Sequence, residues 1–236
     1  MKRILFALVA LAVLAACNEK NDNVCTISGT LTDSVDTVRL VDMSGKVLDV
    51  AAVTDGTFAL KCEIDHETGV SILRGPVPSG DVCYVEEARG YAPVALIPDV
   101  REISVTITDS VPVVSGSPLS QEIQEYQQWA MDTFFGNVEN YTALMETGDS
   151  IAAENVYAEG MRLIADRSRE VYQAHKADAI GAQALGLLID LVDEDEFITL
   201  FEQGGKAVKA DTQLSDYYKQ LKSAAEEAEG KVVLQQ

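Results

Sequence analysis

The period of the hydrophobic pattern changes once along this chain, at Gly116-Ser117-Pro118. Before that point apolar residues alternate, as in Cys25, Ile27 and Leu31, or Phe58, Leu60, Cys62 and Ile64. A two-residue repeat puts such side chains on one face of a strand. After it they recur every three or four positions, as in Ile123, Tyr126, Ala130, Phe134, Val138, Tyr141 and Met145. That spacing lines one face of a helix. Strands in one stretch and helices in the next define the α+β class. The expectation is an N-terminal antiparallel β-sandwich over residues 24–116, a C-terminal α-helical bundle over 117–230 and a short tail at 231–236.

Turn residues punctuate the first region. Runs at 24–31, 36–42, 47–54 and 57–64 are rich in Val, Thr, Leu and Phe, and further runs stand at 69–74, 82–87, 93–97 and 102–108. Ser44-Gly45 and Asp55-Gly56 each sit between two runs, and glycine accepts the positive φ of a tight hairpin. Gly75-Pro76, Ser79-Gly80 and Gly90 mark further breaks. Strands this short and this regularly spaced imply a small sandwich.

Helix starts punctuate the second region. Ser117 is a capping residue, with Pro118 at the first helical position. Asp149 caps a helix whose face reads Tyr157, Met161, Ile164, Ser168, Val171 and His175. Asp178 caps a third, carrying Ile180, Ala184, Leu187 and Leu191. The acidic run from Asp193 to Glu196 suits the positive end of a helix dipole and precedes Phe197, Leu200 and Phe201. Gly204-Gly205-Lys206 reads as a helix stop, and Leu214, Tyr217, Leu221, Ala224 and Ala228 line a last helix. Each apolar face needs a partner, so the helices form a bundle.

The first residues determine the compartment. Lys2 and Arg3 precede an uninterrupted apolar run from Ile4 to Ala16, too short to span a bilayer and suited to a secretory leader. The run ends in Leu14-Ala15-Ala16-Cys17, which resembles the lipobox of bacterial lipoproteins. The resemblance implies removal of residues 1–16 and a thioether-linked diacylglycerol on Cys17, with further acylation, palmitate included, at the new N-terminus. Two or three acyl chains anchor a protein stably where one binds only marginally. Residues 17–23 are polar after the cysteine and read as a lipidated tether. The expected place is the cell envelope, lipid-anchored at the outer membrane, with the membrane as partner through the N-terminal lipid.

Charge narrows the partners. The formal net charge is −20, from 18 Lys plus Arg against 38 Asp plus Glu. Phosphate contacts need clustered cations, so nucleic acid is excluded as a partner. An acidic body is also repelled by anionic lipid and does not lie flat on it. Only two histidines, His66 and His175, are present, which excludes a multi-histidine metal site. The acidic group Asp190, Asp193, Glu194, Asp195 and Glu196 lacks the alternating ligands and glycine of a calcium loop. The expectation is no metal and no cofactor.

The cysteines are Cys17, Cys25, Cys62 and Cys83. With Cys17 lipidated, three remain in an oxidising compartment and permit at most one internal disulfide. No Cys-x-x-Cys occurs, so the dithiol of thioredoxin chemistry is missing. Cys25 and Cys62 both fall on the apolar face of their strands. A Cys25–Cys62 disulfide and two buried thiols acting as small hydrophobes both satisfy that placement.

Several motifs carry a further resemblance. They are Ile27-Ser28-Gly29-Thr30-Leu31-Thr32-Asp33, Val38-Arg39-Leu40 and Val53-Thr54-Asp55-Gly56-Thr57-Phe58-Ala59-Leu60 in the first region. In the second they are Gly116-Ser117-Pro118-Leu119 and His175-Lys176-Ala177-Asp178-Ala179-Ile180-Gly181. Together they resemble the domain-of-unknown-function family that forms the N-terminal part of thioredoxin-like envelope lipoproteins in Gram-negative gut anaerobes. The strand after the Asp55-Gly56 turn is also similar to carboxypeptidase-regulatory-like sandwiches. In the thioredoxin-like relatives a catalytic domain follows a Glu-Gly-Lys-like junction. Glu229-Gly230-Lys231 stands five residues before the last, so the chain is expected to lack that domain, and no redox residue carries over.

The sequence contains no nucleophile elbow and no His-Glu-x-x-His. His175 and Trp129 read as packing residues. Asp-Ser or Asp-Thr followed by an aliphatic residue recurs at Asp33-Ser34-Val35, Asp36-Thr37-Val38, Asp109-Ser110-Val111 and Asp149-Ser150-Ile151. This is similar to an O-glycosylation motif of secreted proteins in the same phylum, which would mark Ser34, Thr37, Ser110 and Ser150. Strand starts and helix caps favour the same residues, and both readings stand. The functional expectation is a lipid-anchored envelope protein without catalytic residues, a binding or scaffolding module with an envelope protein as partner. The alternative is an accessory to envelope thiol-disulfide or peroxide chemistry, working with a separate thioredoxin-like domain.

Overall fold

The computed structural model describes residues 23–32, 34–75, 93–108 and 111–233. Among them are eight strands followed by six helices, the α+β order the change of period implies. The strands are β1 (Val24–Leu31), β2 (Thr37–Asp42), β3 (Val47–Ala52), β4 (Thr57–Glu63), β5 (Val70–Arg74), β6 (Val94–Leu96), β7 (Glu102–Ile107) and β8 (Val113–Ser115). They form two four-stranded sheets, ordered β4-β1-β7-β8 and β3-β2-β5-β6. The expected run at 82–87, with Cys83, lies outside the described residues, as do Cys17 and Ser110.

The sandwich core is built by alternation. Ile27, Leu60, Ile103 and Ile107 from one sheet meet Leu40 and Ile72 from the other, all essentially inaccessible to solvent. Fully burying a side chain of this kind contributes about 1.5–3 kcal/mol. Gly29 and Phe58 are cross-strand partners, and a Cβ on Gly29 would lie 2.0 Å from the Phe58 ring. The glycine in Ser28-Gly29-Thr30 is therefore the space that the phenylalanine of Gly56-Thr57-Phe58 fills.

Two details depart from simple hairpins. Asp55 and Gly56 adopt φ of 51° and 69°, and Thr54 and Thr57 exchange both backbone hydrogen bonds at 2.9 Å, so the tight turn forms. The ladder then ends, because β3 and β4 belong to different sheets and the turn is a corner of the sandwich. The pairings are antiparallel except for β1 with β7, which run parallel in register Ile27↔Ile103. β8 had no counterpart among the expected runs: in three residues only Val114 is buried, so it carries almost no alternation.

The helices are α1 (Pro118–Glu146), α2 (Ser150–Ala174), α3 (Ala179–Leu188), α4 (Glu194–Gln203), α5 (Lys206–Ala210) and α6 (Thr212–Val233). Ser117, Asp149, Asp178 and Asp193 each accept a hydrogen bond from a first-turn backbone N–H, so the three expected caps act as caps and Asp193, expected only as part of an acidic helix start, is a fourth. The helical core joins Tyr126, Tyr172, Leu185, Phe197, Phe201 and Leu214.

Serines weld the two regions. Ser120 Oγ donates to the Ile97 carbonyl at 2.9 Å and accepts from its N–H at 2.9 Å. Ser117 Oγ donates to the same carbonyl at 3.3 Å, and Gln124 donates to the Ala95 carbonyl at 2.6 Å. The first turns of α1 thus satisfy the backbone of edge strand β6, which protects it from pairing with another chain. Ile97, Ile123, Ala179 and Ile180 form a small apolar cluster at this junction.

Candidate functional site

Three features of the fold could carry function: a cysteine pair, a cleft between sheet and helices, and a helical arm. The cysteine pair follows from the β1–β4 register, in which Cys25 lies directly opposite Cys62. Ile64 donates to the Asn23 carbonyl at 3.0 Å and Leu31 to the Gly56 carbonyl at 2.9 Å. These bonds make the odd-numbered residues of β1 the hydrogen-bonded pairs, so Cys25 and Cys62 are one of them, with Cα atoms about 5.5 Å apart. Both side chains point to the inner face. Cys25 is fully buried, while Cys62 is half-buried and lines a cleft of about 730 Å³ with Asp42, Lys46, Lys61 and Glu63.

Both are thiols in this structure, and they hydrogen-bond to each other. The bond to Cys62 pushes the Cys25 thiol up, and burial adds to this. The same bond lowers Cys62, against the opposing effects of burial and of Asp49 and Glu63. The two sulfurs are thus inequivalent: one buried and protonated, one reachable and more acidic.

A cleft of about 450 Å³ lies between the second sheet and helices α3 and α6, lined by Gly69, Val70, Leu96, Ala182, Gln183 and Leu214. Gln183 Oε1 is buried and finds no hydrogen-bond partner among the described residues.

The arm is the α1–α2 hairpin. α1 has 29 residues and α2 has 25; at 1.5 Å per residue α1 is about 43 Å long. Its proximal half is welded into the bundle. The Tyr126 hydroxyl donates to Ser168 Oγ at 2.7 Å, Tyr126 stacks on Trp129, and the Tyr172 hydroxyl donates to the Leu200 carbonyl. Burial pushes the Tyr172 phenol up to about 12. At the base, His175 caps α2 with its ring between Asp178 at 2.9 Å and Glu122 at 3.0 Å. Burial works to lower its basicity, but the two carboxylates outweigh it and the net shift is upward.

The distal half has a thin interior. Asn137 donates to the Tyr157 carbonyl at 3.0 Å, Gly160 packs against Asn137, and Tyr141 meets Tyr157 edge to face. Around this seam Met131, Phe135 and Ile151 are 52%, 55% and 74% exposed, and Phe134, Met145, Tyr157 and Leu163 are exposed as well. The expected apolar face of α1 is therefore buried only from Ile123 to Ala130, and Phe134 and Met145 face solvent. On α2 the buried residues are Ala153, Ile164, Ala165, Ser168 and Tyr172, so Tyr157 is not part of the buried face.

The other expected residues serve structure. Asp193 caps α4, and Glu196 holds Arg169 by two bonds at 2.5 and 3.0 Å. Among the described residues no three His, Cys, Asp or Glu side chains are grouped to hold a metal ion. Ser34 and Ser150 are exposed, and Thr37 is half-buried at the first position of β2. The exposed arm escaped sequence reasoning because it is a matter of tertiary coverage, and the two expectations for Cys25 and Cys62 stayed open because the sequence could not say whether register places them opposite each other.

No helix among the described residues is long and apolar enough to cross a membrane. No curated protein and no solved structure matches the chain. Residues 1–18, which include Cys17, match the prokaryotic membrane lipoprotein lipid attachment site, so this is a lipid-anchored protein of the cell envelope.

Proposed function

We propose that this lipid-anchored protein is a non-catalytic binding or scaffolding module at the outer membrane, and that the distal α1–α2 arm is its docking element. The observation that carries the reading is the set Met131, Phe134, Phe135, Ile151 and Leu163, all exposed on the two helices of the hairpin. Large exposed apolar patches mark interaction sites. The same hairpin exposes the carboxylates Asp132, Glu139, Glu146, Asp149, Glu154 and Glu159. Its nearby cation, Arg162, is taken up by Glu159 and Asp166. The fitting partner is therefore an envelope protein with an apolar surface edged by Lys and Arg. A second copy or an anionic bilayer would meet like charge. The tether matches the role: five residues separate Cys17 from Asn23, which holds the start of β1 within about 20 Å of the lipid surface.

A photoreactive residue at position 135, placed in cells, tests this. The expected result is one discrete adduct, mapped to a Lys- or Arg-rich surface. Phe134→Glu or Glu154→Lys abolishes it and Val50→Glu leaves it unchanged. An adduct indifferent to those arm charges, a homodimer through the arm, or turnover by the purified mature protein overturns the reading.

A second reading is favoured by one observation, the opposed Cys25 and Cys62. It makes the chain an accessory to envelope thiol-disulfide chemistry, in keeping with its resemblance to thioredoxin-associated lipoproteins. A mixed disulfide trapped through Cys62 supports it. Unaltered envelope thiol chemistry after replacement of Cys25, Cys62 and Cys83 sinks it.

A further inference from the structure

We propose that Cys25 and Cys62 are a redox pair, and that the exported protein carries them as a cross-strand disulfide joining β1 to β4. Three observations meet at this point. The two residues are direct partners in a hydrogen-bonded cross-strand pair, and the Cα separation of such a pair, about 5.5 Å, lies in the middle of the disulfide range. Their side chains share the inner face, and each shifts the acidity of the other through a side-chain hydrogen bond. The lipid attachment site sends the chain to a compartment where disulfides persist.

The asymmetry of the pair defines the chemistry. Cys62 opens onto the cleft that Asp42, Lys46, Lys61 and Glu63 also line, whereas Cys25 is sealed from solvent and lies directly opposite Cys62. The oxidant is an external protein disulfide of the dithiol-oxidase class. Cys62 loses its proton to water and its thiolate attacks one oxidant sulfur. A mixed disulfide forms, the oxidant S–S bond breaks, and the released oxidant thiolate takes up a proton. Cys25 then gives up its proton as its sulfur attacks that of Cys62, and the second oxidant sulfur leaves as a thiol. Two electrons and two protons pass from the pair to the oxidant, leaving a disulfide on β1–β4 and a dithiol on the oxidant.

Neither the arm nor its partner enters this proposal. The test uses the full chain expressed with its leader, trapped in acid, denatured and alkylated with a mass-tagged maleimide before and after reduction. Cys17, as a thioether, does not react. The expected result is one tagged thiol before reduction and three after, out of the four cysteines, with the Cys25 and Cys62 peptides joined. A Cys83→Ala chain then shows none before and two after. Three free thiols before reduction, or a bridge that includes Cys83, overturns the proposal and leaves the docking reading untouched.

Discussion

The proximal and distal halves of the α1–α2 hairpin have the same hydrophobic rhythm and opposite fates. In the proximal half Ile123, Tyr126, Ala165 and Tyr172 disappear into contacts with α3, α4 and the sheet edge. In the distal half Phe134, Met145 and Tyr157 sit at equivalent spacings and face water. An apolar stripe states that a helix face has a partner; it does not state that the partner is in the same chain. Unfolding measurements on single substitutions separate the two halves.

The largest effect belongs to Tyr172, fully buried and hydrogen-bonded through its hydroxyl to Leu200. Tyr172→Ala removes an aromatic from the middle of the helical core and is expected to destabilise by about 3–5 kcal/mol. A loss below about 1 kcal/mol in denaturant unfolding would show that the proximal half is not the structural anchor. Next is Tyr126→Phe, which strips Ser168 Oγ of its 2.7 Å donor while that serine stays buried. Leaving a buried hydroxyl without its partner costs about 1–2 kcal/mol. Restoration of stability by adding Ser168→Ala to Tyr126→Phe would identify the unpaired hydroxyl as the cause.

A smaller effect depends on pH. His175, at the base of the hairpin, has its basicity raised above the ordinary 6.5 because Asp178 and Glu122 outweigh the opposing burial. The folded state therefore holds the proton more tightly than the unfolded one. Its contribution is complete below 6.5 and is lost as pH rises through the higher folded value. Stability should decline across that window, and His175→Gln should flatten the decline. An unchanged slope in His175→Gln would place the titration elsewhere.

The hairpin also shows what was legible in advance. Local signals are legible where one residue acts on its own backbone: Ser117, Asp149 and Asp178 cap as expected, the acidic run at Asp193 opens a helix, and Asp55-Gly56 turns as expected. Signals that depend on distant chain are not. Nothing local says that β3 and β4 part into different sheets after their turn, or that β1 pairs parallel with β7 across 70 intervening residues. On α2 the stripe through Ile164 and Ser168 was visible. Tyr172 and Ala165, each one step around the helix, complete the buried face because α3 and α4 cover that side. For the cysteines the inward face was legible, whereas their being opposite each other is a property of register.

The smallest expected effect on stability is the one that bears most on function. Phe135 is 55% exposed and its ring meets Phe134 edge to face at 5.6 Å, with no core cluster beneath it. Phe135→Ala should therefore shift unfolding by no more than about 0.5 kcal/mol, the range of ordinary surface substitutions. The same applies to Ile151→Ala at the tip of the arm, 74% exposed. If Phe135→Ala instead costs as much as a core substitution, the distal half is covered by its own chain and cannot be free to dock. If both are silent in unfolding and Ile151→Ala also abolishes the adduct formed at position 135, the exposed side chains of the arm are kept for a surface outside this chain. A residue whose removal leaves the fold intact and ends the interaction separates the docking half of the hairpin from the structural half.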